Sequence, residues 1–165
     1  KVLRFQNNYE KWVAFVGLMD GKPYEIFTFK VFTGLDIKDG TMGNIVKNKK
    51  KGERSRYDFV YEEDGADITI KGVNNCVDME FSNYSKLLSG ILRHGMPLPF
   101  FVNQLVDLKF AEDHITTWKN GLVRVVKQFI KDGETSASNC PECDSKLVYQ
   151  EGCLSCKSCG HSKCG

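Results

Sequence analysis

With 165 residues, the chain has room for one ordinary domain and a small appendage. Its 41% hydrophobic and 27% charged residues are the mixture of a soluble globular protein, and a net charge of +2 gives no global pull toward nucleic acid or a membrane surface. No apolar run approaches the roughly 20 residues that cross a bilayer and no signal peptide is visible, so the expectation is a cytoplasmic protein with no membrane partner. The chain opens on Lys1 rather than Met and runs straight into strand-like sequence. That reads as an excised or partial C-terminal region, although N-terminal processing leaves the same trace.

The N-terminal half reads as β structure. In "KWVAFVGLMDGKPYEIFTFKVF" two runs rich in Val, Phe, Ile and Tyr flank Asp20-Gly21, a favoured hairpin turn. "RYDFVYEEDGADITIKGV" repeats the arrangement. Tyr57, Phe59 and Tyr61 alternate with Asp58 and Val60, Asp64-Gly65 turns, and Ile68 and Ile70 alternate back, which predicts a hairpin with one buried face. The glycine- and lysine-rich segment between the hairpins reads as a long loop, or a strand with a mobile tip. Its Lys47, Lys49, Lys50, Lys51, Arg54 and Arg56 are read as a solvated face rather than a phosphate site.

The period then changes. "FSNYSKLLSGILRHGM" places Tyr84, Leu87, Leu88, Ile91 and Leu92 at helical spacing, with Ser82 as N-cap and Gly95 and Pro97 as stops. "PFFVNQLVDLKF" predicts a short second helix. "EDHITTWKNGLVRVVKQFIKDG" predicts a third, with a stripe of Ile115, Trp118, Leu122, Val125, Val126 and Phe129 and with Gly133 closing it. The predicted fold class is α+β: two antiparallel β-hairpins followed by about three helices, then a small zinc-ribbon tail. There is no glycine-rich phosphate loop, no HExxH and no GxSxG, so nothing in the body resembles a catalytic centre. His94 and His114 are read as surface or capping histidines.

Residues 132–139, "DGETSASN", have the composition of a flexible linker between a domain at 1–131 and a tail at 140–165. That tail is too short to bury a core of its own, so a metal or covalent bonds must hold it. Of the seven cysteines, Cys76 stands apart and reads as a small half-buried apolar residue. The other six crowd into the tail, two more than one tetrahedral zinc can use.

Cys140-Pro-Glu-Cys143 is a zinc knuckle, two thiolates on one tight turn. Two overlapping pairs compete for the other corners. Cys156-Lys-Ser-Cys159 is followed by Gly160, which suits the positive φ such a turn needs, and lies at the more usual loop length. The favoured ligands are therefore Cys140, Cys143, Cys156 and Cys159, leaving Cys153 and Cys164 as a dithiol. The other set, with Cys153 and Cys156 as the second pair, leaves Cys159 and Cys164 instead. Either way two thiols stand beside a metal and near Lys157 and Lys163, which favours thiol–disulfide exchange. His161 offers a replacement ligand or a thiol activator, roles that six cysteines leave little need for.

This tail, "CPECDSKLVYQEGCLSCKSCGHSKCG", resembles the cysteine-rich C-terminus of vitamin B12-dependent (adenosylcobalamin, class II) ribonucleotide reductases. "WVAFVGLMDGKPYEIFTF", "LLSGILRHGMPLPFFVNQL" and "WKNGLVRVVKQFI" resemble the region that joins the reductase barrel to that tail. The chain departs at Asp144, where the family has glycine. Asp tolerates the left-handed conformation, which keeps the knuckle feasible.

The resemblance implies part of a ribonucleoside-diphosphate reductase whose tail dithiol re-reduces the active-site disulfide of a catalytic barrel and is itself reduced by an external thiol donor. Zinc orders the tail, adenosylcobalamin belongs to the barrel, and the full enzyme is a homo-oligomer. The barrel's radical-bearing cysteine, substrate loops and cobalamin site are not in this sequence, so the chain alone is expected to be inactive. The competing readings are a structural zinc ribbon for oligomerisation, or a ribbon adaptor for protein or nucleic acid through Lys146, Lys157 and Lys163. The adaptor has only Tyr149 as a stacking surface and gives the spare cysteines no work.

Overall fold

The computed structural model describes residues 1–32, 35, 37–49, 51, 52, 55–76, 78–111 and 114–164, with the side chains of residues 75 and 76 outside that description. The reading of Cys76 as half-buried therefore lies outside the described residues. The described fold is α+β, with three antiparallel sheets and three α-helices. It divides into two compact units. One comprises Lys1–Phe5 and Glu10–Ser89, the other Gln6–Tyr9 and Gly90–Gly165.

In the first unit, β1 (Val2–Asn7), β2 (Glu10–Met19) and β3 (Lys22–Lys30) form a sheet in that order. The β2–β3 hairpin closes at Asp20-Gly21, with φ of 52° and 75°, the two left-handed residues that a turn matching the strand twist requires. A second sheet contains β4 (Asn44–Asn48), β5 (Arg56–Glu63) and β6 (Ala66–Ile70), and turns in the same way at Asp64-Gly65. Both predicted hairpins are present, each enlarged to three strands. The added strand β4 comes from the glycine- and lysine-rich segment and holds Lys47, while Arg56 begins β5. Lys50 and Arg54 lie outside the described residues.

The two sheets share one core. Val13 and Phe15 of β2, Phe29 of β3, and Phe59 and Tyr61 of β5 are buried there with Val2, Leu35, Ile37 and Val73. The Phe15 ring centre lies 4.7 Å from that of Phe59 and 5.0 Å from that of Phe29. Full burial of each such side chain contributes about 1.5–3 kcal/mol. β5 departs from simple alternation because Asp58 is buried too. Its carboxylate accepts two bonds from the Arg56 guanidinium at 2.9 Å, one from Asn48 Nδ2 and one from the Gly72 N–H, both at 2.8 Å. The Arg56 contact first, then the Gly72 amide, hold this carboxyl below the usual carboxylate range.

Helix α1 (Met79–Arg93) starts earlier than its sequence suggested. Ser82 is inside it. The first turn is capped instead by Asp78, whose Oδ1 accepts the Glu80 N–H at 2.9 Å. Gly95 ends it as expected: it takes φ of 77° and donates to Leu92 O, with Met96 donating to Ile91 O. The predicted stripe is rotated. Leu88 and Leu92 are buried, but Leu87 is 68% exposed, and Ser85 and Ser89 are buried in its place.

The reason lies in β3, which is an edge strand of its sheet. The N–H groups of Ile26 and Thr28 donate to Ser89 Oγ and Ser85 Oγ at 3.0 and 3.3 Å, and Ser89 Oγ donates back to Ile26 O. Four helix residues rise about 6 Å and two strand residues about 6.7 Å, so serines at i and i+4 can match alternate amides of an edge. Backbone groups that would otherwise face outward are thereby paired.

The second unit holds α2 (Leu98–Asp107), α3 (Trp118–Lys127) and a four-stranded sheet. Trp118, Leu122, Val125 and Val126 are buried as their spacing suggested, but Ile115 precedes the helix and is 74% exposed. Buried Lys119 sends Nζ to the carbonyls of Val106 and Leu108, satisfying the C-terminal end of α2. The Trp118 N–H at the start of α3 is accepted by Asn7 Oδ1 at 2.9 Å. The helix stops at Lys127, before Gly133. Gly133 instead takes φ of 86° in the turn leading to the sheet and donates to Tyr149 O.

The strands are β7 (Thr135–Asn139), β8 (Lys146–Gln150), β9 (Cys153–Cys156) and β10 (Ser162–Lys163), ordered β10-β9-β8-β7 with antiparallel neighbours. Most of the segment whose composition suggested a linker is thus a turn and strand β7, in which Ser136 is buried. Among the described residues no helix is long and apolar enough to cross a membrane.

Candidate metal centre and adjoining disulfide

Each CxxC pair sits at a turn of the four-stranded sheet, the first between β7 and β8, the second running from Cys156, the last residue of β9, into the turn before β10. The two loops repeat one backbone pattern. The Cys140 N–H donates to Ser145 O at 2.8 Å and the Asp144 N–H to Cys140 O at 2.9 Å; likewise Cys156 N–H to His161 O at 2.7 Å and Gly160 N–H to Cys156 O at 3.0 Å. In both, the residue after the second cysteine is left-handed, with φ of 58° at Asp144 and 77° at Gly160. Asp144 adds a side-chain tie, accepting from Asn139 Nδ2 at 2.9 Å. An Asp can therefore occupy a position where glycine would be strain-free.

These turns aim four sulfurs at one point. The Sγ atoms of Cys140, Cys143, Cys156 and Cys159 all lie within 4.8 Å of one another, with Cys140–Cys159 at 3.5 Å and Cys143–Cys156 at 3.4 Å. A tetrahedral ion with metal–sulfur bonds of about 2.3 Å needs sulfurs about 3.8 Å apart, so the set fits such an ion with small adjustments. Cys140 and Cys156 are buried, while Cys143 and Cys159 are exposed. The buried pair joins Leu147 in a small core on which Leu154 packs. With so small an apolar cluster, the four sulfurs offer a place where an ion could act as a cross-link.

The thiols influence one another. The Cys159 amide, more than that of Ser158 and against the effect of burial, pulls the Cys156 thiol down to about 6. The hydroxyl and amide of Ser145 lower Cys143. The Cys159 thiol is pushed up to about 12: the His161 amide opposes this, but local desolvation among the crowded sulfurs and the thiols of Cys140, Cys143 and Cys156 outweigh it. Four adjacent thiolates repel strongly, so the metal-free cluster keeps protons that a dication would displace.

The remaining tail cysteines are bonded to each other: Cys153–Cys164 is a disulfide with Cα atoms 4.4 Å apart. The strand register explains the pairing. Ser162 lies opposite Ser155 and Lys163 opposite Leu154, so the next step of the β9–β10 ladder brings Cys164 to Cys153. Cys159 stands in the four-sulfur cluster, so the other ligand set and the Cys159–Cys164 pair are not assembled in this structure. His161 contributes its carbonyl, not its ring, to the second knuckle. His94 and His114 are exposed, and His114 Nδ1 lies 3.0 Å from Thr116 Oγ1.

Sequence reasoning missed Asn7 as the helix cap and Lys119 as the buried cation. A lysine in the middle of an otherwise apolar helical stripe was the available signal for Lys119; nothing local marks Asn7.

No curated protein and no solved structure matches the chain. A family model described as "NrdJ homologue C-terminal domain" matches residues 1–131, ending before the first CxxC. The matched segment holds both aromatic-cored sheets and all three helices, and it supports a ribonucleotide reductase-related C-terminal region. By this match the chain belongs to the family of NrdJ homologue C-terminal domains.

Proposed function

We propose that the chain is the electron-delivering C-terminal part of a ribonucleotide reductase of the class II type. Zinc, held by Cys140, Cys143, Cys156 and Cys159, orders the ribbon and, being redox-inert, leaves the thiol chemistry to other residues. Cys153 and Cys164 form the working pair. As a dithiol they pass two electrons and two protons to the disulfide left in a catalytic barrel after each ribose reduction, and become the disulfide themselves. An external thiol donor then restores them. Adenosylcobalamin and the radical chemistry belong to that barrel, and none of the residues described above is assigned to them.

The observation that carries this reading is the separation of the six tail cysteines into a four-sulfur cluster and a bonded pair at the end of the sheet, with Cys164 exposed. A structural ribbon needs the four but gives the pair no chemical task. The test is zinc content combined with mass-spectrometric alkylation, before and after mild reduction. The reading expects one zinc per chain and fast labelling of Cys153 and Cys164 after reduction, with the other four protected. Equal protection of all six, or equal reactivity without zinc, would overturn it in favour of a structural knot.

A further inference from the structure

The second unit contains a groove of about 390 Å³ bounded by α2, α3 and the ribbon sheet, within the size range of ordinary ligand sites. Its floor is apolar, with Val102, Val123 and Leu154, and its rim is cationic, with Arg124, Lys127 and Lys163. Arg124 is tied to Ile115 O through Nη1. Lys127 and Lys163 have no ion pair among the described residues. Burial, and after it the Lys163 ammonium, hold Lys127 below the usual lysine range, so these two cations feel each other. Around the opening, Val106 and Ile115 are 47% and 74% exposed. The groove therefore offers apolar area and unbalanced positive charge together.

Its position links it to the disulfide. Leu154 and Lys163 are cross-strand partners, and the next step of the same ladder is Cys153–Cys164. Successive residues of a strand face opposite ways, so the disulfide lies over the other face, about 3.3 Å further along. The strand between them, β10, is two residues long and at the sheet edge. A segment seated in the groove has only that edge to pass to reach the sulfurs.

We infer that the groove docks an acidic segment with apolar side chains, belonging to the protein thiol donor that reduces Cys153–Cys164. This rests on the redox reading above and names the surface and the partner chemistry for it. A thiolate of the donor attacks one sulfur of the pair, the S–S bond breaks, and the departing thiolate takes up a proton. The donor's second thiol then attacks the mixed disulfide and releases the other cysteine. The donor ends as a disulfide and the chain as a dithiol, with two electrons and two protons transferred.

The test uses the zinc-loaded full chain and three reductants: dithiothreitol, and two synthetic peptides sharing a Cys-Gly-Pro-Cys centre, one flanked by Glu and Leu, the other by Lys and Leu. The acidic peptide should reduce Cys153–Cys164 on the order of tenfold faster than the basic one at low salt, with the advantage fading as salt rises. The double variant Lys127→Glu/Lys163→Glu should reverse that order and leave the dithiothreitol rate unchanged, while Lys86→Glu on α1 changes nothing. Equal rates for the two peptides, or an order that the double variant does not reverse, overturn the groove and leave the redox reading standing. A disulfide that none of the three reductants opens while zinc stays bound overturns both. Circular dichroism and zinc content confirm that each variant is folded.

Discussion

The first unit and the cysteine ribbon are both antiparallel sheets, yet they are held by different forces. In the first unit, rings at Phe15, Phe29, Phe59 and Tyr61 meet in one core, and the edge strand β3 is closed by two serines of α1. In the ribbon the buried apolar set shrinks to Leu147 and Tyr149 beside Cys140 and Cys156, with half-buried Leu154 packed on the cysteine cluster. One region gains stability in proportion to the apolar area it removes from water; the other has a disulfide, open to reductants, and a four-sulfur cluster able to hold a metal ion. The proposed redox pair, Cys153 and Cys164, belongs to the second kind of region.

The largest expected effect separates the two regions directly. Chelating the metal, or replacing Cys140 by Ser, should collapse the amide signals of residues 140–164 in a two-dimensional NMR spectrum while those of β2, β3 and β5 stay dispersed. Loss of both sets together would show that the regions are one cooperative unit. The converse experiment is Phe29→Ala. Emptying this fully buried site should cost about 3–5 kcal/mol in denaturant unfolding and leave zinc stoichiometry unchanged.

A smaller effect is expected for Ser89→Ala. It leaves the Ile26 N–H buried without its acceptor, at a cost of about 1–3 kcal/mol by the same measurement. A neutral result would mean that water replaces the hydroxyl at this edge.

The smallest effect concerns pH. Asp58 has a folded-state pKa below its unfolded value, so its contribution is fully present above the unfolded value and is lost as pH falls through the folded one. Asp58→Asn should therefore flatten the acid limb of the stability curve below the ordinary aspartate range, with little change in its slope near neutrality. An unchanged acid limb would assign the acid sensitivity to other carboxylates.

Much of the site was legible in the sequence because its demands are local. A CxxC turn needs a left-handed residue after its second cysteine, and Gly160 and the Asn139-tied Asp144 meet that need within six residues of chain. Other features were hidden because they depend on a distant partner. Spacing alone favours Leu87 over Ser85 on the buried side of α1; the amides of Ile26 and Thr28 in β3, 63 and 57 residues earlier in the chain, take Ser89 and Ser85 as acceptors and reverse that preference. The same holds for Asn7, which caps a helix 111 residues away.

By itself the sequence determined the two Asp-Gly hairpins, the amphipathic helices and the two knuckles, since each follows from backbone preference and hydrophobic period over a few residues. Only the tertiary structure decided which thiols share the cluster and which pair is left. That choice depends on the register of β9 against β10, which places Cys164 opposite Cys153, and on two loops closing toward one point. Spacing along a chain limits which sulfurs can meet. Which of them do meet is set by how the strands that carry them are paired.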